Sequence, residues 1–242
     1  MTNFETLADD VDVAVEHEHV VANDVRLHVV TAGPEDGDVV VLLHGFPEFW
    51  YSWREQLPAL VDAGYRVVVP DMRGYNRSEK PRGVRAYRID VLVADVVGVI
   101  QQYSASGSAH VVAHDWGGGV AWSVAVGRPA VVDRLAILNA PHPERFRELL
   151  RRPAQLRRSW YMFAFQLPAL PEYGLTRDDA AVFEELFGES MPASEIRHYR
   201  DAIQRPGAAR STVNYYRSFL REGLKDELPF LSASVPMPDG HV

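Results

Sequence analysis

The chain has 242 residues, of which 47% are hydrophobic, so it is long enough to form a sizeable core. Its 33 acidic and 25 basic residues give a net charge of −8, which excludes the basic surface that nucleic acid binding requires. The absence of cysteine excludes disulfides, thiolate metal sites and a cysteine nucleophile. No run of about eighteen uncharged apolar residues occurs and the N-terminus lacks a basic signal-peptide start, so the sequence predicts a cytoplasmic protein with no membrane partner.

The first elements in chain order are two alternating stretches, 16–22 and 26–31, which predict a β-hairpin around Asn23 and Asp24. Apolar runs predict further strands from Val39, Arg66 and Ala109, and a last one over 134–139. Apolar residues at helical spacing predict a helix over 90–103. Strands and helices that alternate in this way are typical of an α/β protein with a mostly parallel sheet.

The most informative position is Asp115, which stands between a β-rich stretch at 109–113 and small or apolar residues at 117–128. This arrangement predicts a strand-to-helix elbow with Asp115 at the turn. Ala113 and Gly117 are the small residues, two positions to either side, that allow a strained backbone to pass close to its neighbours. Asp is also a favoured helix N-cap, so the elbow alone supports a capping role and a nucleophile equally.

A second motif favours the nucleophile. Residues 39–48 run from a buried strand into the sequence HGFPE, the usual partner of such an elbow. In that arrangement the backbone N–H groups of Phe46 and Trp116 point at one spot and form an oxyanion hole. Residues 66–75 predict another parallel-type strand that ends in a polar turn.

Taken together, residues 39–143 resemble the α/β-hydrolase fold. The motifs that resemble its epoxide hydrolase branch are HGFPE at 44–48, DMRGY at 71–75, HDWGG at 114–118 and PHP at 141–143. The resemblance implies a core of residues 1–140 and a helical cap of 141–230, inserted after the strand that ends near Asn139. The cap segment is Arg-rich and aromatic, with breaks predicted at Pro168, Pro171, Gly188 and Pro206-Gly207.

The chemistry of an epoxide explains a carboxylate at the elbow. Attack by a Ser hydroxyl on a saturated carbon would leave an ether, whereas attack by Asp115 leaves an ester that water can hydrolyse. The oxyanion hole would then stabilise the hydrolysis of that ester. The helix N-terminus predicts that the Asp115 carboxylate stays charged at neutral pH. No cofactor is implied, and the expected partner is a small epoxide or related electrophile.

Ring opening also requires an acid for the epoxide oxygen. Two cap segments, 158–168 and 213–217, resemble epoxide hydrolase cap helices, and this resemblance implies that Tyr161 and Tyr216 hydrogen-bond that oxygen. A phenol with a pKa of about 10 is suited to a developing alkoxide. Adjacent helical residues point about 100° apart, so only one of Tyr215 and Tyr216 can face the site.

The family also places a carboxylate and a water-activating histidine after the cap. Residues 231–242 are expected to be the severed start of the return to the core, and only Asp239 and His241 follow the expected strand start. They are too close together and too near that strand to reach Asp115. Asn139 occupies an alternative position for the acid and carries no carboxylate. The sequence therefore predicts that this chain forms the ester and hydrolyses it slowly.

The remaining histidines are not expected to replace that base. His44 and His114 adjoin the two motifs, and we interpret them as hydrogen-bonded residues that orient the site. His17 and His19 share a strand face as a metal pair would, but no further ligand cluster accompanies them. We interpret the pair as satisfied surface residues.

Two alternatives remain open. A haloalkane or haloacid dehalogenase would use the same Asp115 ester, and Trp116 would suit a halide donor, but Phe46 and the two cap tyrosines favour an epoxide. The chain could instead be a truncated, non-catalytic fragment whose exposed sheet edge associates with a partner. The sequence leaves a homo-oligomer open. It excludes a serine esterase, since no Gly-x-Ser-x-Gly occurs, and a phosphate loop, since no glycine completes the pattern at Trp122.

Overall fold

The computed structural model describes residues 11–227, apart from the side chains of Arg147 and of residues 222–227. Its strands are β1 (Val15–Ala22), β2 (Val25–Ala32), β3 (Val39–Leu43), β4 (Arg66–Pro70), β5 (Ala109–His114) and β6 (Val132–Leu138). They form one sheet in the order β1-β2-β4-β3-β5-β6. The pairs β4–β3, β3–β5 and β5–β6 are parallel, while the pairs β1–β2 and β2–β4 are antiparallel, in agreement with the predicted mostly parallel sheet.

The predicted hairpin is confirmed. Ala22 of β1 pairs with Val25 of β2, which leaves a two-residue loop of Asn23 and Asp24. Both loop residues have positive φ angles, 50° and 58°, as a type I′ turn requires. Asn and Asp tolerate that conformation better than most residues do, so the local sequence sets the register of the hairpin.

The central strands are buried on both faces, which explains their uninterrupted apolar sequences. In β3, the side chains of Val39, Val41 and Leu43 belong to one hydrophobic cluster. Those of Val40 and Leu42 belong to a second cluster on the opposite face of the sheet. Since successive side chains of β3 enter two hydrophobic clusters in turn, every position favours an apolar residue. The alternation of apolar and polar residues that is typical of a half-exposed strand is therefore absent.

The helices are α1 (Leu57–Asp62), α2 (Ile89–Tyr103), α3 (Asp115–Gly127), α4 (Pro143–Leu150), α5 (Pro153–Arg158), α6 (Trp160–Ala164), α7 (Leu170–Ala180), α8 (Val182–Phe187), α9 (Ala193–Ile203) and α10 (Ala208–Glu227). The predicted helix at 90–103 is α2 and the helix after the elbow is α3. Three of the predicted breaks fall between or at the ends of helices. Pro171 instead lies in the first turn of α7, where a missing N–H costs nothing.

Helices α4 to α10 follow β6, and we call them the cap helices. Phe165 and Tyr216 among them pack against Phe46 in the loop after β3 and against Trp116 at the start of α3. Helix α10 contributes Tyr215 to one core cluster and Val213 to the other, so it is packed against both. The division at residue 140 into core and cap stays a prediction. The segment 231–242, including Asp239 and His241, lies outside the described residues, as do residues 1–10 and 228–230.

Candidate active site

Asp115 lies on a tight turn between β5 and α3, and its φ of +49° is in the left-handed region. The turn is packed main chain against main chain: the N–H of Gly117 donates to the carbonyl of His44 at 3.1 Å. A Cβ at Gly117 would lie 2.4 Å from the Leu43 carbonyl oxygen, and one at Gly118 would lie 2.5 Å from the Cβ of Ala140. The small residue predicted at position 117 is therefore required by contact with the end of β3.

The loop after β3 brings a second main-chain donor to the same carboxylate. The N–H of Phe46 donates to Asp115 Oδ1 at 2.8 Å, and the N–H of Trp116 also donates to this carboxylate. Gly45 makes the approach possible, because a Cβ there would lie 2.4 Å from the Cβ of Asp115. The two amides predicted as an oxyanion hole thus meet at one side chain.

The electrostatics of Asp115 are a balance between burial and these amides. Burial raises the pKa of the Asp115 carboxyl, and the hydrogen bonds from Phe46 and Trp116 only partly offset the rise. The sequence-based prediction of a charged carboxylate took account only of the helix N-terminus, which lowers the pKa of a nearby carboxyl. Desolvation has the larger effect, so the pKa of Asp115 lies above that of a surface aspartate.

Two tyrosines from the helices that follow β6 lie near Asp115. Tyr161 of α6 and Tyr216 of α10 hydrogen-bond each other through their hydroxyls, with ring centroids 5.7 Å apart. Burial raises the pKa of both phenols, and the nearby charge of Asp115 raises them further. Both hydroxyls are therefore held in the protonated form that can donate a hydrogen bond.

Aromatic side chains fix the orientation of Tyr216. Its ring packs edge-on against Phe165 at 4.9 Å, Trp116 at 5.1 Å and Phe46 at 5.2 Å between centroids. The indole N–H of Trp116 hydrogen-bonds the Tyr216 hydroxyl. This cluster makes an apolar wall beside the carboxylate and leaves two polar hydroxyls within it.

Tyr215 points away from the site. Its hydroxyl donates to the main-chain carbonyl of Arg73 at 2.7 Å, and its side chain is fully buried in the core. Both rings pack against Trp116, at 5.4 Å for Tyr215 and 5.1 Å for Tyr216 between centroids, but Tyr216 also contacts Phe46 at 5.2 Å. The two neighbours diverge as expected for adjacent residues of a helix.

The histidines beside the two motifs are both hydrogen-bonded. His44 is fully buried, with Nδ1 3.0 Å from the Gly45 carbonyl and Nε2 accepting from the N–H of Met72 at 2.9 Å. His114 pairs through Nδ1 with Glu48 at 3.2 Å, and this hydrogen bond raises its pKa. Neither ring has a recorded hydrogen bond to Asp115 within residues 11–227.

Sequence reasoning missed Glu48 as part of the site. Its carboxylate accepts from the N–H of Gly45 at 3.0 Å and from His114. Burial alone would raise the pKa of Glu48, but His114 and Gly45 lower it overall. The position of Glu48 in HGFPE could have indicated this role. It lies three residues after Gly45, and the turn between them brings the Glu48 side chain back to the Gly45 N–H.

The interpretation of His17 and His19 as surface residues is wrong for His17. The Nδ1 of His17 lies 3.0 Å from Nε2 of His28, and the two rings stack with centroids 5.2 Å apart. His28 in turn pairs with the buried Asp71 at 2.6 Å. No group of three or more residues able to hold a metal ion occurs in the part of the chain that the structure describes.

Comparison with known proteins agrees with this architecture. The family model of the alpha/beta hydrolase fold matches residues 38–223. The AB hydrolase superfamily protein YfhM of Bacillus subtilis is 43% identical over 221 residues, which cover 89% of this chain and 77% of that protein. Epoxide hydrolase 4 of Mus musculus is 38% identical over 205 residues, covering 80% of this chain.

A solved structure gives the same result. The crystal structure of a mutant epoxide hydrolase from Bacillus megaterium, in complex with its naphthyloxy-propanediol product, superposes with a TM-score of 0.75 at 35% identity. The match covers 83% of this chain and 71% of that one. The chain belongs to the α/β-hydrolase family, in its epoxide hydrolase-like branch. It spans 56% of the length of the mouse epoxide hydrolase 4 that it matches.

Among the described residues, no helix is both long and apolar enough to cross a membrane.

Proposed function

We propose that Asp115 opens an epoxide ring and forms a β-hydroxyalkyl ester, the first half of an epoxide hydrolase reaction. The observation that carries the proposal is a carboxylate held by two main-chain amides, with two protonated phenols nearby. Such a pairing supplies a nucleophile and an acid to the two ends of one carbon–oxygen bond.

In the proposed step, a carboxylate oxygen of Asp115 attacks a ring carbon while the carbon–oxygen bond of the ring breaks. The released oxygen takes a proton from Tyr161 or Tyr216, and the tyrosinate left behind is reprotonated from solvent. Since both phenols have raised pKa values, they hold their protons until the alkoxide develops. The aromatic wall of Phe46, Phe165 and Trp116 suits an aryl substituent on the epoxide.

The second half-reaction would add water to the ester carbonyl and release a diol. Negative charge then develops on the ester oxygen that the amides of Phe46 and Trp116 face, and this is where an oxyanion hole is worth most. The carboxylate and histidine expected for water activation fall outside residues 11–227, so this half-reaction is proposed separately from the first.

The alternative hypothesis, a dehalogenase, is less well supported. Halide release needs several donors around the leaving ion, and Trp116 is one such donor. Phe46 presents no side-chain donor. The site therefore offers phenol protons to a leaving oxygen rather than a set of donors to a halide.

Intact-protein mass spectrometry after incubation with styrene oxide tests the first step. We expect the mass to rise by one epoxide in the unmutated chain and not in Asp115→Ala, because the ester forms on that carboxylate. Asp36→Ala, in an exposed loop, is the matched control and should gain the same mass. Diol measured in the same samples reports the second half-reaction: an adduct without diol places only ester formation in this chain.

The proposal fails if folded, unmutated chain shows neither adduct nor diol, or if Asp115→Ala is labelled equally. Halide released from a haloalkane by a chain that leaves styrene oxide intact would support the dehalogenase instead.

A further inference from the structure

Two consecutive residues after β4 hold the loop that carries the Phe46 amide. We call residues 44–50 the oxyanion loop. At its start, His44 Nε2 accepts from the N–H of Met72 at 2.9 Å. At its end, the N–H of Trp50 donates to Asp71 Oδ1 at 3.0 Å. A displacement of Asp71 and Met72 would therefore move both ends of the loop.

The position of Asp71 is set by buried partners on its other oxygen. Oδ2 accepts from the side-chain amide of Asn76 at 2.8 Å and lies 2.6 Å from Nδ1 of His28. Asp71 and His28 are fully buried and Asn76 is 5% exposed, so water cannot replace a lost partner easily. Charged hydrogen bonds in such a site are strong, which makes the carboxylate a rigid support for the loop.

Asn76 extends this chain of hydrogen bonds into the cap. Its Oδ1 accepts from Nε of Arg205 at 2.8 Å, and Arg205 lies between α9 and α10. An amide can present either its oxygen or its NH2 group in a given direction. With the guanidinium of Arg205 on one side, the oxygen must face the cap, and the NH2 group is therefore directed at Asp71.

We infer that Arg205 is a positioning residue that acts through Asn76 and Asp71 to set the Phe46 amide against Asp115. The oxyanion hole is then complete only when the cap is seated on the core, so reaction is coupled to enclosure of the substrate. This inference rests on the proposed function for its catalytic consequence. The mechanical link itself does not depend on which reaction the site performs.

Hydrogen exchange tests the link directly. Arg205→Met keeps the apolar stem and removes the donors, and we expect the amides of the oxyanion loop to exchange at least about threefold faster than in the unmutated chain. Exchange in β3, residues 39–43, should not change, which separates this effect from general destabilisation. Arg200→Met is the matched control, since Arg200 lies on α9 and pairs only with Asp179 and Glu184 among the contacts recorded in the described cap.

Ester formation supplies the second measurement. Because the Phe46 amide also orients the attacking Asp115 carboxylate, Arg205→Met should lower the rate constant at saturating styrene oxide about tenfold and change the half-saturating concentration less than about twofold, while Arg205→Lys recovers most of the rate. Unchanged loop exchange in Arg205→Met, or equal effects of Arg200→Met, would overturn the inference. An unmutated chain that forms no adduct defeats the proposed function alone, because loop exchange still decides whether Arg205 positions the loop.

Discussion

On the core side of the candidate site, main-chain atoms hold the proposed nucleophile, whereas on the cap side aromatic side chains hold the proposed acids. Asp115 is fixed by a strained turn and by the amides of Phe46 and Trp116. Tyr161 and Tyr216 are fixed by each other and by rings that pack edge-on against them. The core side should therefore fail abruptly when its backbone moves, while the cap side should lose activity in increments as single groups are removed.

The largest expected effect comes from a methyl group placed on the core side. In Gly45→Ala, the new Cβ would lie 2.4 Å from the Cβ of Asp115, so the loop must move and the Phe46 amide loses its partner. We expect ester formation to slow by roughly 10²-fold, because the clash displaces the Asp115 carboxylate from the geometry of attack. A time course of adduct formation by intact mass measures the rate.

The control for that variant is Gly119→Ala. Gly119 lies in α3 with no atom within 4 Å of its would-be Cβ, so the rate should stay within about twofold and the helix should gain slightly in stability. A rate for Gly45→Ala within tenfold of the unmutated chain would show that the core side tolerates displacement, which removes the contrast between the two sides.

A smaller effect is expected on the cap side. Tyr161→Phe or Tyr216→Phe alone should slow ester formation roughly 10–100-fold, because the remaining phenol still donates, and the double variant should approach the full ~10²–10⁴-fold contribution of a general acid. Tyr215→Phe is the matched control. It should leave the rate nearly unchanged and lower the stability of the chain by about 1 kcal/mol, since the Arg73 carbonyl loses its donor.

This prediction is measured with the same adduct time course and with thermal unfolding. If one tyrosine alone carries the whole effect and the second changes nothing, the shared-acid arrangement is wrong. If Tyr215→Phe slows the reaction as much as Tyr216→Phe, the assignment of the two neighbours is wrong.

The smallest effect is on stability. Because burial raises the pKa of Asp115, the folded chain binds this proton more tightly than the unfolded chain, so the contribution to stability is present at low pH and is lost as the pH rises through the folded pKa. Asp115→Asn stays neutral throughout. We expect its Tm at pH 7 to exceed that of the unmutated chain by about 2–4 °C, the shift that ~1 kcal/mol produces in a domain of this size.

The difference in Tm should shrink as the pH is lowered and Asp115 becomes protonated in both states. Gly119→Ala, which changes no titratable group, should show no such dependence on pH. A lower Tm for Asp115→Asn at neutral pH would mean that the main-chain donors stabilise the ionised carboxylate more than burial penalises it.

The core side was predictable because its information is contiguous in the sequence. Ala113, Asp115 and Gly117 mark the elbow by spacing alone, and Phe46 follows from the motif after β3. The hairpin turn was predictable for the same reason, since Asn23 and Asp24 suit its positive φ angles. In these places the local sequence determines the local backbone.

The remaining features depend on residues far apart in the chain. Nothing in the sequence near Tyr216 distinguishes it from Tyr215 until α10 is packed, and the cap tyrosines were identified only by resemblance to a family. Glu48 and the pair of His28 with Asp71 likewise join separate strands and loops. Helix α1 escaped prediction because its six residues, with a proline in the first turn, give too short a periodic pattern.

The contact between the elbow and the end of β3 also determines what can be exchanged. Gly117 is held by the His44 carbonyl and by the lack of space beside Leu43, so the side chain at position 115 is not needed to shape the turn. A different side chain at position 115 would meet the same two main-chain N–H groups, those of Phe46 and Trp116. The backbone that shapes the turn is thus independent of the side chain that the turn presents. A change of chemistry within this architecture requires a change of that one side chain and of the cap helices beside it.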